Sequence, residues 1–210
     1  MPSMKLYYGP GACSLASHIT LEEAGVPYET QKMNLAEGDQ RKPEYLKLNP
    51  RGRVPTLVVD GEPITENVGI ISYVAGGYAA GKLWPKKTWD QAKLVSTMAW
   101  LSNSVHPSYT HLFRPERFVE GDEAKEAVKA KARESFWGYL QEIDGLLAGQ
   151  KWCIANMFTP ADAYLIVFYR WANRQKMPVR ELGNYSALVD RVLARPAVQK
   201  VMADEGITMD

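Results

Sequence analysis

The sequence predicts a small α/β domain followed by an all-helical domain. Short apolar segments separated by glycine and proline turns occupy residues 4–78, whereas after Trp89 the apolar residues recur only at helical spacing. A stretch rich in Gly, Lys and Pro at residues 76–87 separates the two patterns. We therefore expect an α/β domain over residues 1–80, a linker over 81–88 and a helical domain over 89–210.

The first domain begins with a strand–helix–strand unit. Residues 4–8 are apolar and aromatic and end at the turn residues 9–11, which predicts a strand. A helix is expected from Ser14 to the glycine stop at Gly25, followed by an extended segment at residues 28–35.

A second unit of two strands and a helix completes the domain. We predict strands at residues 54–59 and 63–65, a turn at 60–61 between them, and a helix over 66–78, preceded by a polar stretch that contains Pro43 and Pro50. The order βαβ followed by ββα is that of a thioredoxin-like layer.

The second domain shows only helical periods. Helices are predicted near residues 89–113, 123–147 and 160–173, with a further pair within 185–202. Thr159 as N-cap, Pro160 at the first helical position and Asp162 at the third form a capping arrangement, which we assign to folding.

Composition excludes several classes of function. Hydrophobic residues make up 46% and charged residues 23% of the chain, and the formal net charge is +1, so no global field favours nucleic acid or an anionic membrane as a partner. The first residues hold one Lys before Gly9 but no long apolar run after it, so we predict neither a secretory signal nor a transmembrane helix and expect a cytoplasmic protein. The two cysteines lie far apart, which argues against a disulfide framework and a clustered metal site.

Cys13 is the first candidate for chemistry. It stands where a glycine-rich turn feeds a helix, and the unpaired N–H groups and dipole of a helix N-terminus favour a thiolate. The alternative is a small buried cysteine that packs under the first turn. Cys153 lies in an apolar run and is predicted to be buried and inert.

A second motif is the proline that enters the third strand. Pro55 follows a polar turn and Val54, and in a thioredoxin-like fold such a proline is commonly cis. The N–H and C=O of Val54 would then pair with a peptide-like ligand as an added strand does. The alternative is an edge-strand proline in a tight turn.

A third motif opens the helix predicted at residues 66–78. Free amides around Asn67 can hold a carboxylate, and the side chain of Glu66 can hold an ammonium group. The alternative is an acidic residue placed in the first turn for its favourable interaction with the helix dipole.

These motifs, in this order, resemble the glutathione transferase family, and residues 4–14, MKLYYGPGACS, are similar to the N-terminus of its bacterial beta class. Residues 158–165 match the buried capping motif of the family. The resemblance spans nearly the whole chain and implies a thioredoxin-like domain plus an all-α domain.

The resemblance also implies roles for individual residues. Cys13 would face the thiol of glutathione, Val54 beside Pro55 would pair with its cysteinyl unit, and Glu66 and Asn67 would hold its γ-glutamyl end. Near the sulfur and in the pocket for the electrophile, the resemblance places His106, Tyr8, Tyr109, Phe113 and Trp171. The alternatives are core packing for the aromatic residues and a histidine satisfied within its helix.

Three departures from the family pattern bear on the site. Asn67 stands where many members have serine, and the chain between Trp100 and His106 is shorter than in relatives. Residues 36–38 replace a segment that often carries a lysine near the glycyl end of glutathione, so Arg53 is the candidate for that charge, a solvated arginine being the alternative.

The expected activity is conjugation of glutathione, as co-substrate, to small hydrophobic electrophiles, without a metal. Thiol transfer through a mixed disulfide at Cys13 competes with it. Reductive dehalogenation or isomerisation would use the same glutathione site, and a non-enzymatic carrier of apolar ligands is the alternative from another class. By resemblance we expect a homodimer, and we expect neither nucleic acid nor membrane as partners.

Overall fold

The chain begins with a four-stranded mixed sheet. The computed structural model describes residues 1–210. The strands are β1 (Met4–Tyr8), β2 (Glu29–Lys32), β3 (Thr56–Val59) and β4 (Glu62–Thr65). Their order in the sheet is β2-β1-β3-β4, with β2 parallel to β1 and the other pairs antiparallel. The predicted thioredoxin-like layer is confirmed.

Three helices accompany this sheet: α1 (Leu15–Ala24), α2 (Pro43–Leu48) and α3 (Asn67–Tyr78). The stop of α1 lies at Gly25, which adopts the left-handed conformation (φ 71°) and donates to carbonyls of the last turn, as the sequence predicted. Helix α2 falls in the stretch predicted only as polar. Pro43 occupies a starting position that tolerates proline, and Tyr45 buries the inner face.

The rest of the chain is helical. Its helices are α4 (Thr88–Trp100), α5 (His106–Phe113), α6 (Asp122–Leu146), α7 (Pro160–Arg174), α8 (Gly183–Leu193) and α9 (Pro196–Glu205). Helices α4 and α5 join without a loop, because Leu101–Val105 continue as a wider π-helical turn. That turn immediately precedes His106 and Pro107. The backbone nitrogen of Pro107 has no hydrogen to donate to the preceding turn. The segment that links the two regions lies between the end of α3 at Tyr78 and the start of α4 at Thr88. The domain bounds, with a linker at 81–88, remain a prediction.

Helix α7 is the centre of the helical region, with every residue from Pro160 to Ala172 buried. Its N-terminus carries the predicted capping box. The N–H groups of Thr159 and Cys153 donate to the Asp162 carboxylate over 2.7 and 2.8 Å. Burial, opposed by these hydrogen bonds, raises the pKa of Asp162 to about 6.

Helix α1 belongs to two hydrophobic cores. One cluster packs the sheet against α1 and α3 and includes Leu6 and Leu21, while the larger cluster takes Leu15 and Ile19 of α1 together with α7. The sheet and the helical region therefore share α1, and α3 likewise contributes Ile71 to the larger cluster and Ile70 to the smaller one. None of the helices combines the length and apolar character that crossing a bilayer requires.

Candidate active site

A cleft of about 440 Å³ lies between the sheet region and helices α5 and α7. Its walls come from the segments around Cys13, Leu35 and Arg53 on one side, and from α5, the turn after it and α7 on the other. A second cavity, of about 450 Å³, lies between α4 and α6; Cys153 lines it, but no predicted site residue does. Of the predicted site residues, the first cleft is lined by Cys13, Arg53, Val54, His106, Tyr109, Phe113 and Trp171, but not by Tyr8, Pro55, Glu66 or Asn67.

Cys13 and Val54 meet in this cleft. The Sγ atom of Cys13 donates to the carbonyl oxygen of Val54 over 3.4 Å. The Val54–Pro55 peptide bond is cis, as predicted, and the N–H of Val54 has no hydrogen-bond partner within the protein. The segment before β3 thus presents the free N–H of Val54 and its carbonyl oxygen, which accepts a hydrogen bond only from the Cys13 thiol.

Burial changes the expected chemistry of Cys13. It raises the pKa of the thiol to about 12, and the carboxylate of Glu66 acts in the same direction. The backbone N–H groups of Cys13 and Ser14 and the charge of Arg53 lower it, but by less. The N–H groups at the helix N-terminus act in the direction that the sequence predicted, but burial outweighs them in the free protein, where Cys13 is a neutral donor.

The start of α3 contacts the segment that carries Cys13. The amide of Asn67 is buried, accepts from Ser17 Oγ over 2.6 Å and donates to the Cys13 carbonyl over 2.9 Å. Its side chain thus holds the two helix N-termini together. The N–H groups of Asn67 and Val68 have no acceptor, while Glu66 is exposed and adopts a positive φ of 68°.

Aromatic rings form the opposite wall. Tyr109 stacks on Trp171 with ring centroids 4.3 Å apart, and Phe113 also stacks on Tyr109, with centroids 5.6 Å apart. Trp171 Nε1 also donates to the Gly11 carbonyl over 3.0 Å. The three predicted pocket residues therefore lie together, and Phe113 is 53% exposed to the cleft and solvent.

His106 lines the cleft and Tyr8 does not. The His106 ring packs against Trp171 at 5.0 Å, and burial, followed by the nearby Arg53, lowers the pKa of His106 to about 4. It is neutral at physiological pH. Tyr8 instead packs in the core beneath the sheet, with its ring 5.1 Å from that of His18. The expectation that Tyr8 lies near the sulfur is therefore wrong.

Sequence reasoning missed most of the positive charge of the cleft. Besides Arg53, the lining includes Arg114, Arg117, Arg170 and Arg174, and it includes no Asp or Glu. The spacing of Arg170 and Arg174 around Trp171, on one face of a helix, is the signal that would have found two of them.

Gln40 is a further lining residue that the sequence did not indicate. Its Nε2 donates to the Leu35 carbonyl, and its buried Oε1 has no hydrogen-bond partner. A bound molecule that offers a donor at this point would satisfy it.

A thioredoxin-like sheet joined to a helical domain, with a cysteine-bearing cleft between them, is the architecture of the glutathione transferase class. Glutathione S-transferase, N-terminal domain, matches residues 2–76, and Glutathione S-transferase, C-terminal domain, matches residues 98–196. The chain therefore belongs to the glutathione S-transferase family, and the expected enzyme class, with glutathione as co-substrate, is confirmed.

Individual relatives agree over nearly the whole chain. Glutathione S-transferase GstA of Escherichia coli O157:H7 is 36% identical and covers 97% of this chain and 100% of its own. A sphingomonad glutathione S-transferase complexed with glutathione is 35% identical with a TM-score of 0.85, over 97% of this chain and 100% of that one. The bacterial beta class enzyme of Sphingomonas chungbukensis is 33% identical with the same TM-score and the same coverage. The expected likeness to the beta class is confirmed.

Proposed function

We propose that this enzyme conjugates glutathione to small electrophiles held against the aromatic wall, with Cys13 as a hydrogen-bond donor to the glutathione sulfur. The observation that carries the proposal is the pairing of the neutral Cys13 thiol with the carbonyl of Val54, beside the free N–H of that residue. When a peptide-like ligand takes up the N–H and C=O of Val54, the thiol is released to donate to the ligand's own sulfur.

The remaining groups of glutathione find complementary partners around this point. The free N–H groups at the start of α3 suit the γ-glutamyl carboxylate, and the exposed Glu66 suits its ammonium. Asn67 would take part through its backbone, because its amide is already bonded. Arg53 suits the glycyl carboxylate, since it lines the cleft next to Val54.

The electrophile would lie on Tyr109, Phe113 and Trp171. His106 is neutral there and can position a substrate atom without adding charge. The thiolate sulfur attacks the electrophilic carbon, and the two reactants held in contact react as if at high local concentration. A donor to the sulfur lowers the pKa of the thiol, and one pKa unit is worth about 1.4 kcal/mol.

Replacing Cys13 by Ala and by Ser tests this role. With a chlorinated dinitrobenzene, we expect Cys13→Ala to raise the kinetic pKa of bound glutathione by roughly one unit, the value of one hydrogen bond to a charged acceptor. Cys13→Ser keeps a donor and should stay near wild type. Cys153→Ala is the matched control. An unchanged pH profile in Cys13→Ala would remove Cys13 from the mechanism.

Thiol transfer is the second candidate, since Cys13 is the thiol of the cleft. The Cys13 thiolate would attack a glutathione disulfide, form a mixed disulfide and release glutathione thiolate. Intact mass after exposure to oxidised glutathione separates the two. A stable adduct lost in Cys13→Ala favours thiol transfer, whereas no adduct with retained conjugation favours the proposal. No glutathione-dependent turnover of any kind would favour a carrier.

We also propose a cytoplasmic homodimer. The likeness to the family supports it, as does the apolar surface that α4 exposes at Trp89 and Val95. Sedimentation of the purified protein tests the oligomeric state, and a Trp89→Glu variant that leaves the mass distribution unchanged would exclude Trp89 from any interface.

A further inference from the structure

The cleft holds more positive charge than glutathione requires. Five arginines line it without an acidic lining residue. Arg114 lies 3.6 Å from Glu116, whereas Arg53, Arg117, Arg170 and Arg174 form no ion pair. The chain as a whole carries a net charge of only +1, so this cluster is a local feature.

One of these charges is buried. Arg170 is 7% exposed, and its guanidinium donates to the carbonyls of Thr208 and Gly11 over 2.6 and 3.4 Å. These are neutral acceptors; the buried carboxylate of Glu205, which accepts from the Gly11 N–H, acts on Arg170 as an opposite charge, and Arg174 acts on it as a like charge. Burying a guanidinium without a directly paired carboxylate is costly, and an anion in the adjoining cleft would offset part of that cost.

The remaining arginines flank the aromatic wall. Arg114 lies over the Phe113 ring at 5.0 Å from its centroid. Burial raises the pKa of the Tyr109 hydroxyl, and the nearby charge of Arg174 lowers it. Arg117 follows one turn after Arg114 and is exposed. Positive charge thus lines the cleft around the stacked rings, and Arg117 also lines a neighbouring cavity together with Arg53.

Resting on the proposed function, we propose that the second substrate is a flat, conjugated electrophile that carries a carboxylate. Its ring lies against Phe113, the exposed ring of the wall, and its carboxylate pairs with Arg117 and Arg174. Arg53 is left for the glycyl carboxylate of glutathione. The guanidinium groups of the cleft select such an anion over an equally flat neutral molecule. Among the small hydrophobic electrophiles that the sequence predicts as substrates, those with a carboxylate are therefore preferred.

The reaction leaves the carboxylate untouched. For a chlorinated aromatic acid, the glutathione sulfur forms a bond to the ring carbon, and chloride leaves with the electron pair of the carbon–chlorine bond. The proton of the glutathione thiol passes to solvent. The role of the arginines is to bind and orient the acid.

A matched pair of substrates tests the inference: a chlorodinitrobenzoate with chlorine para to the carboxylate, and its methyl ester. Each kcat/KM is divided by the rate of the uncatalysed reaction. We expect wild type to favour the acid by roughly tenfold, the worth of one hydrogen bond between charged groups. Raising the salt concentration should weaken this preference.

Variants assign the preference to the arginines. The double variant Arg117→Gln with Arg174→Gln should lose the preference for the acid but keep turnover of the ester and the KM for glutathione within about twofold. Arg180→Gln removes an arginine outside the cleft, where it pairs with Asp190, and should behave as wild type. Equal turnover of acid and ester by wild type, or an equal rise of the glutathione KM with both substrates in the double variant, would overturn the inference.

Binding of the two product conjugates, followed by tryptophan fluorescence, keeps this test independent of turnover. Tighter binding of the carboxylate conjugate by wild type, lost in the double variant, supports the anion site even where catalysis is absent. Turnover of both substrates with equal binding of both conjugates would retain the transferase and reject the anion site.

Discussion

At the scale of single residues, the neutral state of Cys13 is the finding with the most direct consequence. Burial is the main reason that the pKa of its thiol rises from its ordinary value to about 12. The thiolate fraction near neutral pH is then roughly a thousandfold below that of an ordinary cysteine. The free enzyme should therefore resist thiol reagents although Cys13 faces an open cleft.

Alkylation rates measure this state. We expect the rate of Cys13 modification by iodoacetamide, followed by peptide mass, to be very low at neutral pH and still rising about tenfold per pH unit near pH 10. The same protein unfolded in urea is the control and should react as an ordinary thiol does. A plateau of the folded rate near neutral pH would show a thiolate and restore the nucleophilic role.

His106 links the site to stability at low pH. Its pKa is lowered from 6.5 to about 4, chiefly by burial, so the unfolded chain binds more protons than the folded one between these values. The free energy of unfolding should consequently fall as the pH falls through this window, by up to about 3 kcal/mol. Asp162, with its raised pKa, acts in the opposite direction over part of the same range.

A comparison with His106→Gln isolates this contribution. We expect the difference in unfolding free energy between wild type and His106→Gln, measured in urea, to shift against wild type on going from pH 7 to pH 4. A difference in unfolding free energy that is independent of pH would show that His106 has the same pKa in the folded and unfolded states.

Residue types at special backbone positions could be predicted from the sequence, whereas side-chain directions could not. Pro55 and the thiol of Cys13 lie in local patterns that fix their surroundings. The direction of Tyr8 depends on which face of β1 the helices cover, and adjacent tyrosines leave that choice open. The bonded amide of Asn67 depends on Ser17, 50 residues away in the chain.

At the scale of elements, the C-terminal helix holds the loop that carries Cys13. The carboxylate of Glu205, at the end of α9, accepts from the Gly11 N–H over 2.8 Å and lies 2.9 Å from His18 Nδ1. Both side chains are buried. An element far along the chain thereby sets the position of the first loop.

Replacing Glu205 should damage both fold and site. We expect Glu205→Ala to lower the unfolding free energy by roughly 3 kcal/mol, because it leaves the Gly11 N–H and His18 without their acceptor. The loop then loosens, and the KM for glutathione should rise severalfold. Thermal unfolding and steady-state kinetics measure the two effects.

The neighbouring Asp204→Ala is the control for this variant. Asp204 is exposed and pairs only with Lys200, so its loss should cost no more than about 0.5 kcal/mol. Equal effects of the two variants would mean that the end of α9 acts through helix stability and not through the Gly11 contact.

Strongly periodic elements were predictable, and those set by local exceptions were not. The long helices follow from apolar spacing, and the capping box of α7 follows from Thr159 and Asp162. Helix α2 is too short for a periodic signal, and its proline start resembles a loop. Arg170 and Arg174 share α7, but Arg53 and Arg117 come from distant parts of the chain, and only the folded chain brings them to one cleft.

At the scale of the whole molecule, the shared helix α1 couples the two regions. Its residues Leu15 and Ile19 are fully buried in the larger core with α7, while Leu21 belongs to the core under the sheet. Removing either region would expose one face of α1 to water. We therefore expect the chain to unfold as one cooperative unit despite its two-domain architecture.

Two probes report on the two regions separately. All six tryptophans lie at or after Trp84, so tryptophan fluorescence follows the helical part of the chain. In a Cys153→Ala background, alkylation of Cys13 follows the sheet region. With both measured against urea concentration, we expect coincident midpoints, because loss of α1 from either core removes the support of the other. Exposure of Cys13 at clearly lower urea than the fluorescence change would show that the sheet region unfolds first and that the contact between Glu205 and Gly11 does not couple the two.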